Sequence, residues 1–234
     1  MTPAEIITNV RSQFDDASSA FLTDTELYSY INQGLYELCA QSDILQKIDT
    51  SITTVNGTAT YDMPGVGGFD VTTYPIFIKI QQITWNGNLL FRKDLESFQA
   101  ITGNNPSNGN PQYYNQWGKV LTLTPTPTTA QTVKIWGFGR PPVISASVAD
   151  ADLYAGNGTT AYPGGIEEAY QNDIIDYILM RAYYKDDDTK AIEHKRLWEM
   201  SLQRIKLEQK QRDNMGAHST VTCTDDSSII WSDL

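Results

Sequence analysis

Residues 76–91 read IFIKIQQITWNGNLLF, and the class of the fold turns on them. Ile76, Ile78 and Ile80 alternate with their neighbours, the period-2 pattern of a half-buried strand. Asn86-Gly87 then separates two such runs, the strongest short-range signal for a two-residue hairpin. SITTVNGTATYDMP, residues 51–64, repeats the device around Asn56-Gly57 and predicts a second hairpin. PQYYNQWGKVLTLTP (111–125) and TVKIWGFGRPP (132–142) predict three more strands, punctuated by Gly118, Pro125 and Pro127. Several short strands with frequent turns predict a small antiparallel barrel or sandwich, and SASVADADLYAGNGTTAYPGG (145–165) reads as a polar connector behind it.

On either side the period changes to 3.6. Thr2-Pro3-Ala4-Glu5 is a helix start, with Thr2 as cap, Pro3 at the first helical position and Glu5 closing a capping box. Ile6, Ile7, Val10 and Phe14 follow on one face. DDASSAF (15–21) breaks that helix, and Thr23-Asp24-Thr25-Glu26 is a second capping box before the stripe Leu27, Ile31, Leu35 and Leu38. The two helices are expected to pack as an antiparallel hairpin. Ile166, Tyr170, Ile174, Tyr177 and Ile178 share a face of a third helix. KDDDTK (185–190) interrupts it. Ala191, Trp198, Leu202 and Ile205 then make one stripe, with Gly216 as the expected stop.

A helix pair on its own exposes its stripe, and the least costly burial sets the two pairs against each other. The expected fold class is therefore α+β: a four-helix bundle-like domain with an inserted antiparallel β barrel or sandwich and an extended C-terminal tail. The expected divisions are 1–47 and 159–216 for the two helical halves, 48–158 for the β insertion with its connector, and 217–234 for the tail.

The net charge is −11, from 17 basic and 28 acidic residues, which opposes ordinary binding to a phosphate backbone. Eight of the basic residues lie between Lys185 and Asp213, so the rest of the chain is correspondingly acidic. Cys39 falls in an apolar helical pattern and Cys223 in the tail, which reads as a buried thiol and a free one in a reducing compartment. MTPAEIITNV has neither the basic nor the apolar region of a signal peptide, and no stretch approaches 18 apolar residues.

No constellation of side chains reads as catalytic. His194 and His218 are the only histidines, without a second ligand nearby, and His194 reads as a surface residue on the last helix. Asp186-Asp187-Asp188 lacks the Gly and Glu that a calcium loop needs further on: Ala191 and Leu197 stand there. It reads instead as a helix N-terminus, with Asp188 or Thr189 as cap. GVGG at Gly65–Gly68 has no Lys-Ser or Lys-Thr behind it and is no phosphate loop. No enzyme activity, metal or cofactor is expected.

The ordered set of segments resembles the head-to-tail adaptor (connector, or neck) proteins of tailed bacteriophages. EIITNVRSQFDD and FLTDTELYSYINQGLYEL are similar to their opening helix pair. NGTATYDMP and NGNLLFRKD are similar to their hairpins, GNPQYYNQWGKVLTLTPTP and GFGRPP to the strands that follow. AYQNDIIDYILMRAYYKDDDTKAIEHKRLWEMSLQRIK is similar to their closing helix pair. The resemblance covers roughly residues 4–210. It implies a structural protein of the virion neck, assembled in the host cytoplasm, that forms a ring, commonly of twelve copies, beneath the portal protein. Such a ring extends the channel for double-stranded DNA, which passes without specific binding, and offers a platform to the tail, nozzle or next neck protein. No membrane partner is implied. An acidic lumen would suit passing DNA, since like charge repels phosphate.

The tail takes its meaning from that resemblance. STVTCTDDSSIIWSDL (219–234) is a polar stem that ends on Ile229, Ile230, Trp231 and Leu234. Many members of the resembled family insert a C-terminal extension into portal clefts. These four residues are the expected portal-docking site, with Trp231 as anchor. A second reading makes the chain a tail-associated carbohydrate- or receptor-binding module, using Trp85, Trp117 and Tyr114 of the β segment as its surface.

Overall fold

A computed structural model of the chain describes residues 1–16, 21–63, 77–103, 107–150, 152–155 and 165–219. Two apolar clusters organise it, one among the helices and one against the sheet.

Helix α1 spans Pro3–Phe14 and α2 spans Asp24–Ser42. Both begin on the expected capping boxes: the Thr2 hydroxyl accepts from the Glu5 amide and the Thr23 hydroxyl from the Glu26 amide, while each glutamate returns the bond to its cap. Asp15 ends α1 in the left-handed region, and the following carboxylate, Asp16, is buried, accepts from the Leu22 amide at 2.9 Å and meets Arg11. A short α4 (Glu168–Gln171) leads into α5 (Asp173–Lys185), and α6 runs Lys190–Ser219. Asp188 accepts from the Lys190 amide at 2.9 Å and so starts α6, as a helix-capping carboxylate should. Helix α6 passes through Gly216, where a stop was expected. A single glycine costs a helix only about 1 kcal/mol and does not break it.

The four-helix bundle of two opposed hairpins is not what forms. Helix α5 is the hub. It buries Ile174, Ile175, Ile178, Leu179 and Ala182 on several sides, and packs on α1, α2, α4 and α6. Helices α1 and α2 meet α5 more extensively than they meet each other. Gly34 of α2 lets the Tyr177 ring come close: a Cβ there would lie 2.9 Å from a ring carbon. Helices α5 and α6 are tied by Asp173, which accepts from Ser201 and Arg204 at 2.7 Å each, and by the edge contact of Tyr177 with Trp198. One stripe per helix predicted two faces meeting, whereas α5 is apolar on more than one side and collects all its neighbours.

The β segment also departs from expectation. Seven strands form one curled sheet, a half-barrel, in the order β1-β9-β3-β4-β6-β7-β2. They are β1 Gln46–Asp49, β2 Thr60–Asp62, β3 Phe77–Trp85, β4 Asn88–Arg92, β6 Tyr113–Trp117, β7 Val120–Thr124 and β9 Val133–Gly139. The end strands β1 and β2 do not pair, so the sheet is neither a closed barrel nor a sandwich. A small parallel pair, β5 (Asn108–Gly109) with β8 (Thr126–Pro127), stands apart.

The β3–β4 hairpin forms as predicted. Asn86 and Gly87 both have positive φ, the geometry of a type I′ turn, and Trp85 faces Asn88. The Asn56-Gly57 turn also forms, but the runs beside it do not pair with each other. β2 pairs with β7 instead, and Thr54 is drawn to the 129–131 loop, where its hydroxyl accepts from Trp85 Nε1 at 3.1 Å. β4 and β6 run parallel, which a hairpin cannot give. The crossover between them is an unanticipated helix, α3 (Leu95–Thr102), capped by Asp94 on the Ser97 amide at 2.8 Å. Asp94 followed by Glu96 and a short apolar run was its sequence signal.

Candidate interaction surfaces

On α2 the core row Leu27, Ile31, Leu35 and Leu38 is fully buried. The adjoining face carries Tyr28, Asn32 and Tyr36. Asn32 reaches across to the chain after β9: its amide donates to the Ile144 carbonyl at 2.8 Å and its carbonyl oxygen accepts from the Ile144 amide at 2.7 Å. That pair of bonds holds the segment beside α2. The Arg140 guanidinium sits 5.3 Å above the Tyr36 ring at the rim. The result is an open groove of about 800 Å³ lined by Asp24, Tyr28, Asn32, Tyr36, Arg140 and Ile144 among others. Helix α2 carries Asp24, Glu26 and Glu37 and no lysine or arginine.

Glu26, at the start of that helix, accepts from Lys185 Nζ at 2.7 Å and from the Thr23 amide and hydroxyl. The Lys185 bond first, then those from Thr23, hold its carboxyl down at about 2, against 4.5 ordinarily. A carboxyl with a depressed folded value contributes stability above its unfolded value and loses it as pH falls towards the folded one. Thermal melts should therefore show Glu26→Gln less stable than the natural chain at pH 6. The gap should close as pH drops from about 4.5 to about 2. A gap that stays constant over that window would show that the ion pair does not tie α5 to α2.

Helix α6 presents a second surface. Its buried row is Ala191, Trp198, Leu202 and Ile205, and the opposite side exposes Leu197, Met200 and Leu207 among basic residues. A third surface lies on the sheet. Phe91 and Trp117 are exposed, Phe91 and Tyr113 rings lie 6.4 Å apart, and Lys93 Nζ stands 5.2 Å over the Tyr113 ring. Among the described residues no group of three His, Cys, Asp or Glu is placed to hold a metal ion.

A family model, the SU10 adaptor protein, matches residues 1–222. The chain belongs to the SU10 adaptor protein family. It is an adaptor of a bacteriophage, and the family is a structural one. No curated protein matches the chain.

In this SU10 adaptor the expected portal-docking residues Ile229, Ile230, Trp231 and Leu234 lie outside the described residues. Two of the three aromatics proposed for a receptor-binding surface are core: Trp85 is 2% exposed and Tyr114 4%, leaving Trp117 alone on the outside. Their alternation along β3 and β6 carried no mark of which side faced the core. His194 is not simply a surface residue: its Nδ1 lies 3.0 Å from Asp176 Oδ1 and its ring stacks on Tyr183 at 5.3 Å. Cys39 is fully buried, which pushes its thiol up to about 12, so it packs as an inert apolar group. No described helix of the adaptor is long and apolar enough to cross a membrane.

The groove beside α2 and the outer row of α6 were missed at sequence level. The groove depends on a contact between Asn32 and Ile144, 112 residues apart. The α6 row was visible as Leu197, Met200 and Leu207, at spacings of three and seven, but was masked by the stronger stripe opposite it.

Proposed function

We propose that the chain is the head-to-tail connector of a tailed phage. It forms a ring, of twelve copies, under the portal protein, continues the double-stranded DNA channel, and gives the tail, nozzle or next neck protein its platform in the virion neck. The match to the SU10 adaptor protein model over residues 1–222 carries this reading. The charge balance supports it: a net charge of −11 suits a conduit that passes DNA without holding it. The stem and apolar tip at 219–234 supply the contact with the portal, one from each copy. A single tail would bind weakly, and a ring of tails on one symmetric partner gains strength by effective concentration.

Mixing the chain with purified portal rings and imaging the product by electron microscopy tests the proposal. The expected result is a second ring of density, coaxial with the portal and of matching symmetry. Chains that stay monomeric beside intact portal rings would overturn it.

A further inference from the structure

We propose that residues 220–224, Thr-Val-Thr-Cys-Thr, add to the free edge of β1 in the same chain, as an eighth strand of the sheet. The pairing stands on the sheet and on α6; its use in portal docking rests on the connector reading.

The edge is open and carries an apolar side chain. β1 is the end strand of the sheet and pairs with β9 alone among the described residues. The Gly139 amide donates to the Leu45 carbonyl at 2.7 Å. Backbone direction alternates along an antiparallel ladder, so Lys47 and Asp49 turn their polar groups to β9 and Ile48 turns its amide and carbonyl outward. Among the described residues no hydrogen bond from outside the sheet reaches Ile48. Its side chain is 63% exposed. An edge of this kind is a template for another strand.

Position selects the occupant. Lys206 Nζ of α6 donates to Gln41 at 2.9 Å, near the end of α2. Gln209 and Arg212 line one cleft with Ile44, Leu45 and Gln46, where β1 begins. From Arg212 to the bound of α6 at Ser219, the helix adds about 10 Å. Five extended residues span about 17 Å, enough to cover that offset and run along the four residues of β1. The other free edge, on β2, lies at the opposite end of the sheet.

Composition selects the conformation. Thr220, Val221, Thr222 and Thr224 are β-branched, which opposes a helix and favours a strand. The run has no charge, glycine or proline, and the Asp and Ser residues of the stem follow it. In a strand Val221 and Cys223 share a face, which sets them beside Ile48 as cross-strand neighbours. Pinning this run leaves only residues 225–234 to be ordered when the tip docks.

Cys223 makes the test. Gln46→Cys, Ile48→Cys, Asp49→Cys and, on β2, Thr60→Cys are made singly in the free chain and oxidised mildly at low concentration. Cys39 is buried and does not compete. Facing residues of neighbouring strands lie about 5 Å apart at Cα, the span of a disulfide. The expected product is a disulfide within one chain from Cys223 to position 46 or 48, identified by peptide mapping. It should form at least tenfold faster than one to position 49, which faces the other way, or to position 60. Position 49 reacting as fast as the better of 46 and 48 would show a loose tether and overturn the inference, as would a disulfide between chains, a preference for position 60, or no disulfide. In parallel, removal of residues 220–234 should speed hydrogen exchange of the Ile48 amide, read by NMR, at least tenfold; unchanged exchange would also overturn it. A few ladder bonds on an exposed edge are a local gain, so exchange and not the global melt reads them. Both measurements use the free chain, and ring formation on the portal is imaged separately, so failure of the connector reading and failure of this contact are told apart.

Discussion

Ile31→Asp is expected to lower the melting temperature by roughly 10–20 °C, or to leave no cooperative melt at all. Ile31 is fully buried in the helical cluster, on the row that α2 turns to the core. A carboxylate there has no partner, and an unpaired buried charge costs several kcal/mol beyond the apolar contact that is lost. Whole domains are stable by only about 5–15 kcal/mol, so a loss of about 5 kcal/mol is a large part of the total. For a chain of this length each kcal/mol moves the midpoint by about 2–4 °C. Circular dichroism at the helical minimum reads the change. Ile192→Asp is the control, since Ile192 is exposed on α6 and its variant should stay within about 0.5 kcal/mol. A melt of Ile31→Asp within a few degrees of the natural chain would contradict the helical core described above.

Removal of residues 219–234 is expected to leave the melt of the folded chain unchanged and to abolish assembly onto portal rings. The segment is too rich in Ser, Thr and Asp to build a core, yet Ile229, Ile230, Trp231 and Leu234 are costly to keep in water. Burying each contributes about 1.5–3 kcal/mol. Trp231, the largest of the four, is the expected anchor. Trp231→Ala should therefore weaken assembly by about 2 kcal/mol or more, the scale of a central interface residue. Sedimentation of portal rings with each variant measures it. Assembly by the truncated chain at the natural level would remove the tail from the portal contact.

Several parts of this protein were legible from neighbours in sequence alone. Both capping boxes, at Thr2 with Glu5 and Thr23 with Glu26, close within four residues. The Asn86-Gly87 turn likewise needs only its own two positive φ values, and the cap at Asp188 needs only the next helical turn. In each case the groups that satisfy one another are adjacent along the chain, so no distant partner can overrule them. The apolar tip of the tail was equally plain, because four large side chains behind a polar stem stand out by composition.

What tertiary structure alone decided was which partner each surface took. β2 leaves the run before Asn56-Gly57 and joins β7, because pairing energy is gained from whichever free edge is within reach, not from the nearest in sequence. The parallel β4–β6 pair follows from α3 carrying the chain over, and the sheet stays open because β1 and β2 finish at opposite ends of it. Helix α5 became a hub, since a helix apolar on several sides lowers its energy by collecting every stripe around it. The groove beside α2 exists only because Asn32 satisfies both backbone groups of Ile144, far along the chain. Local pattern specifies which face of an element is apolar. Which surface covers that face is settled by competition among all the faces of the folded chain, and that competition has no signature within a short window of sequence.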